Sequence, residues 1–152
     1  MAIGDAENAC AARFQVGSED YWKCVQDQHC GANPGILCQG RVLVERVVNP
    51  NPVGNQLGLK GLKPETLELA RQLAAELQQP GARVSATRTL QLAEALQEAG
   101  YPELALQGME IAKQVETGRA QPRVQIVTRL NDLQAISRTA LADRAVGRNL
   151  TQ

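Results

Sequence analysis

Histidine occurs once in this chain, at His29, aromatic residues occur four times, and no cysteine follows Cys38. Each shortage removes a class of chemistry. With a single imidazole, a serine or cysteine nucleophile activated by a histidine base would have to use His29. No serine sits in the Gly-x-Ser-x-Gly turn that exposes such a nucleophile. A Cys-x-x-Cys redox pair and a Cys-x-x-Cys-His haem attachment are both missing. So is a glycine-rich phosphate loop, since Gly54 and Gly58 follow an Asn-Pro stretch rather than a strand. Few aromatics (Phe14, Tyr21, Trp22, Tyr101) among many Ala, Leu and Val residues favour helices over strands. No stretch approaches the ~18 consecutive apolar residues that span a bilayer. Formal net charge is zero, which gives no global field to draw in nucleic acid or an anionic membrane. Lysine is absent after Lys113 and no basic cluster is interleaved with aromatics, so no nucleic-acid partner is expected.

What is present begins with Cys10, Cys24, Cys30 and Cys38, an even number confined to the first quarter of 152 residues. Such a cluster implies two disulfides in an oxidising compartment or one metal site in a reducing one. Structural zinc takes closely spaced ligand pairs, but thirteen, five and seven residues separate these cysteines, and His29 adjoins Cys30 too closely for the two to share one small ion. No metal or other cofactor is expected. Disulfides are the preferred reading and place the protein in the periplasm or outside the cell. The opening Met-Ala-Ile-Gly-Asp lacks the apolar core of a secretory signal, so export implies a signal already removed. Cys10–Cys24 with Cys30–Cys38, and Cys10–Cys30 with Cys24–Cys38, both fit the spacing.

The expected fold is all-α: a disulfide-stapled N-terminal helical segment followed by a four-helix bundle or helical-hairpin stack. Residues 5–30 fit two short helices joined at Gly17-Ser18, with Ser18 capping the second and Glu19 and Asp20 in its first turn. Residues 31–40 read as a loop or the start of a later helix. The β-branched run 41–48 fits either a strand or a helix. The paired Asn-Pro steps of 49–56 exclude regular helix and make 49–60 a linker between a cysteine-stapled subdomain, 1–48, and a helical one, 61–152, within what can be one domain. Four amphipathic segments follow. Helices are predicted from Pro64 to Leu77, from a Ser85 or Thr87 cap to near Gly100, from Pro102 to Gly118, and from about Val124 to Gly147.

Residues 90–112 resemble one tetratricopeptide unit. Leu92 and Ala93 match the large–small pair of its first helix, Gly100 the turn, and Ala105 and Ala112 the small positions of the second helix. Met109 stands where that family usually has an aromatic. No second copy lies 34 residues away on either side, although stacked repeats need about three to bury their faces. The resemblance implies helix-turn-helix geometry and a concave surface for a peptide or protein.

Two features are candidates for partner binding. Tyr21 and Trp22 are adjacent, so on a helix one ring could face solvent and anchor a partner. Residues 117–152 carry six arginines against Asp132 and Asp143, including the i, i+4 pairs Arg119 with Arg123 and Arg144 with Arg148. Those pairs could meet an acidic surface. Glu7, Glu19, Asp20 and Asp27 lie near the aromatic pair in sequence and supply a candidate carboxylate set for a small hydrolase, provided two of them converge. The sequence thus points to an exported, non-enzymatic protein-binding module, of the kind used in a bacterial secretion, conjugation or pilus assembly. The alternatives are an immunity or inhibitor protein that occludes a toxin or hydrolase, and the carboxylate hydrolase.

Overall fold

A computed structural model describes residues 2–31, 35–48, 59 and 61–150, excluding the side chains of 145–150. Seven helices occur among these residues: α1 (Ile3–Ala11), α2 (Glu19–Cys30), α3 (Ile36–Val48), α4 (Pro64–Leu77), α5 (Ala86–Glu98), α6 (Pro102–Thr117) and α7 (Val124–Leu150). No strand occurs among the described residues, and the chain is all-α. The expected linker at 49–60 lies outside the described residues apart from Leu59, as does the side chain of Arg148.

The N-terminal helices are short and stapled. Ser18 Oγ accepts from the Tyr21 N–H at 3.1 Å and caps α2, whose first turn carries Glu19 and Asp20. Cys10–Cys24 joins α1 to α2, and Cys30–Cys38 joins the end of α2 to the start of α3. The interleaved pairing is therefore not the one adopted. Sequence separations of 14 and 8 residues correspond, by loop entropy, to roughly 3 and 2.5 kcal/mol. Cys10 is fully buried and Cys24 nearly so, whereas Cys30 and Cys38 are half-buried.

The ambiguous run 41–48 is helical. Val42, Leu43, Val44, Arg46 and Val47 of α3 are all buried, because α2, α4 and α6 pack around it. Tertiary burial on several sides outweighs the modest strand preference of its valines. Arg41 of α3 donates through Nε and a terminal nitrogen to the Leu77 carbonyl at 2.9 and 2.7 Å, which satisfies an orphan acceptor at the end of α4.

Pro64 and Pro102 open α4 and α6, where a missing N–H costs nothing, and Ser85 rather than Thr87 caps α5 by accepting from the Arg88 N–H at 3.2 Å. α5 and α6 form the tightest hairpin. A Cβ added at Gly108 of α6 would lie 3.0 Å from the Ala93 methyl of α5, closer than side chains ordinarily pack, so a methyl there requires the two helices to shift by a few tenths of an ångström. Leu92, Ala93, Ala105, Met109 and Ala112 are buried in this hairpin. Any alanine-rich helical hairpin buries such positions, so the packing is common to the tetratricopeptide unit and to hairpins outside that family.

α6 is the hub, in contact with α2, α3, α5 and α7. Its polar interior positions are bonded across helices: Gln26 Nε2 donates to Gln107 Oε1 at 2.8 Å, and Gln114 Nε2 to Gln39 Oε1 at 3.3 Å. α7 lies on α6 and α5 through Leu130, Gln134 and Ser137, with Leu133 and Leu141 half-buried. It does not stop at Gly147 but continues to Leu150. An isolated glycine costs a helix only about 1 kcal/mol and does not by itself end one. One contiguous core takes side chains from both sides of the 49–60 segment, from Ala6 to Leu130.

Candidate functional site

The adjacent aromatics do not form an exposed anchor. Tyr21 is 0% and Trp22 3% exposed, and their rings meet edge to face with centroids 4.8 Å apart. α2 is enclosed by α1, α3 and α6, so it buries Tyr21, Trp22, Cys24, Val25 and Gln26, a face wide enough for both rings. Burial, reinforced by the nearby Glu7 carboxylate, pushes the Tyr21 phenol up to about 12. The Arg46 guanidinium lies 5.2 Å from the centre of the Trp22 ring and pairs with Glu7 at 3.7 Å, each side chain being 1% exposed. A buried ion pair of this kind contributes little net stability, but losing one partner strands the other charge.

That pair also decides the fate of the carboxylate set. Glu7 is sealed against Arg46, whereas Glu19, Asp20 and Asp27 are exposed on α2, and of these only Glu19 lines a cleft that the structure describes. The four acids are not gathered in one cleft. All four cysteine sulfurs are committed to the two bridges, leaving no thiolate beside His29 to share a zinc ion.

Four of the C-terminal arginines, Arg119, Arg123, Arg129 and Arg144, pair with the molecule's own acids. Arg123 donates from its backbone N–H (2.9 Å), Nε (2.7 Å) and a terminal nitrogen (3.1 Å) to Glu116, and Arg119 lies 3.9 Å from the same carboxylate. These bonds hold the Glu116 carboxyl well below its ordinary range, at about 2. Arg123 further reaches Thr87 Oγ1 of α5, so this cluster clamps the turn from α6 to α7 onto the start of α5. Arg129 makes a two-pronged bond to Glu94, at 2.8 and 3.1 Å. The pair Arg119 and Arg123 is thereby accounted for as structure.

Arg144 is placed differently. It donates to both carboxylate oxygens of Glu103, at 3.1 and 3.4 Å, and to the Gly100 carbonyl at 2.6 Å. It stands at the edge of a cleft of about 380 Å³ where three stretches distant in sequence meet. The turn from Gln15 to Glu19 forms one wall together with Leu59, the turn from Gly100 to Leu104 another, and Leu141 and Arg144 of α7 the third. Trp22 also lines it, so two of the residues singled out in the sequence, Trp22 and Arg144, converge on one concavity. Tyr101 and Glu103 were not among those residues. The available signal was a pair of turn glycines, Gly17 and Gly100, each with φ near +90° (89° and 92°) and each just before a helix start.

The disulfides indicate an oxidising, non-cytoplasmic environment. No described helix is long and apolar enough to cross a membrane. No protein-family model matches the chain, and neither the curated proteins nor the solved structures contain a match to it.

Proposed function

We propose that this chain is an exported protein-binding module, acting in the periplasm or outside the cell as a component or accessory factor of an envelope assembly, and that it holds its partner at the cleft between α2, α6 and α7. The observation that carries the reading is the convergence of three sequence-distant stretches, two turns and one face of α7, on one concavity of about 380 Å³. That volume lies at the small end for a ligand pocket and suits one or two side chains of a partner segment. The disulfides support a rigid presentation, since Cys10–Cys24 fixes α1 against α2 beside the Gln15–Glu19 wall.

A photo-cross-linking amino acid at Gln15, compared with the same group at Arg71 on the exposed side of α4, tests the reading in the producing cell. A discrete adduct at 15 and none at 71 is expected. Equal labelling at both, or none at 15, overturns it. The hydrolase alternative draws no support from the dispersed carboxylates. An inhibitor relying on a protruding Tyr21-Trp22 pair draws none from two buried rings.

A further inference from the structure

Among the described residues, three charged side chains line the cleft, and they are not balanced. Arg144 meets Glu103 and the Gly100 carbonyl, which leaves the exposed Glu19 carboxylate with no hydrogen bond or ion pair among the described residues. Two acids against one base make the described lining net negative, which repels a partner carboxylate and attracts a cation. The same lining includes apolar and aromatic surface on Val16, Tyr101 and Leu141, each half-buried, alongside the polar Gln15 and Ser18. This combination matches one kind of side chain. Lysine and arginine carry a long methylene stem that packs on apolar surface and a cationic head that seeks a carboxylate or the face of an aromatic ring.

We infer that the cleft receives a lysine or arginine side chain from an extended segment of the partner protein, its stem on Val16, Tyr101 and Leu141 and its charged head at Glu19. This rests on the binding reading above and names the chemistry of that site. Asp20 provides an internal control, because it shares the first turn of α2 and its helix dipole with Glu19 but does not line the cleft.

The test is a titration of the full oxidised chain, followed by amide chemical shifts, with acetyl-Leu-Arg-Leu-amide, acetyl-Leu-Gln-Leu-amide and free arginine. Saturable shifts around residues 15–19, 100–104 and 141–144 are expected for the arginine peptide. Weakening by about fivefold is expected for the glutamine peptide and in Glu19→Gln, and no change in Asp20→Asn; fivefold is the size of a solvent-accessible ion pair. The same set is run in Lys60→Gln, which removes the cation next in sequence to Leu59. Equal affinity for the two peptides in both backgrounds overturns the inference, as does loss of binding in Asp20→Asn equal to that in Glu19→Gln. Free arginine binding as tightly as the peptide overturns a protein side chain as the occupant. Because cross-linking at Gln15 does not depend on charge, an adduct that persists undiminished in Glu19→Gln would sink this inference and leave the binding reading standing.

Discussion

Glu116 shows how a single side chain can hold a turn. It is fully buried at the end of α6, and its charge is met by Arg119 and by three donors of Arg123. Its folded pKa of about 2 lies below the ~4.3 of a glutamate in an unfolded chain. A depressed carboxyl pKa gives stability that is complete above the unfolded value and is lost as pH falls through the folded one. Between roughly pH 4.5 and 2, the molecule should therefore lose what Glu116 supplies. Urea midpoints measured from pH 7 down to 2 should show the native chain more stable than Glu116→Gln at neutral pH, with the gap closing across that window. A gap of constant size would mean that shape, not charge, makes the difference. Glu76 is also held low by Arg88, but it is exposed and contributes little to the same curve.

At the scale of elements, the α5–α6 hairpin depends on the absence of a side chain. The 3.0 Å approach to the Ala93 Cβ cannot be relieved by a rotamer change, because that methyl is fixed to its backbone, and Leu43 of α3 closes the other side at 3.3 Å. Gly108→Ala should therefore force the helices apart at a cost of about 1–3 kcal/mol, against which alanine's better helix propensity returns about 1. A net loss is expected, read as a lower urea midpoint. Adding Ala93→Gly makes room for the new methyl and should recover part of that loss. A Gly108→Ala variant as stable as the parent would show that the hairpin is looser than this packing. The helix boundaries themselves were legible, because Pro64, Ser85, Pro102 and the glycines 81 and 100 are punctuation that acts locally. The state of residues 41–48 was not, since valine-rich segments become helix or strand according to what surrounds them, and α4 and α6 are remote in sequence.

The same division between local and distant information governs the whole molecule. Two disulfides and an all-α fold could be read from spacing and composition, but the choice of pairing required knowing that α1 lies along α2. Tyr21 and Trp22 could be read as a helical pair, not as a doubly buried one, because the third wall around them is α6, some eighty residues away; the bond from Gln26 to Gln107 marks that contact. The cleft was invisible for the same reason, being assembled from positions near 17, 101 and 141. A core continuous from Ala6 to Leu130 has a thermodynamic consequence: the stapled N-terminal segment and the helices beyond residue 61 should unfold as one cooperative unit. Trp22 is the only tryptophan and touches Arg46 of α3, so its fluorescence reports the N-terminal side, whereas far-UV dichroism is dominated by α4 to α7. In urea the two signals should share one midpoint, and they should move together when Gly108→Ala weakens the α5–α6 hairpin far from the tryptophan in sequence. If fluorescence held its midpoint while the dichroism shifted, the stapled segment would be a separate folding unit, and the shared core would not be what holds the two parts in one structure.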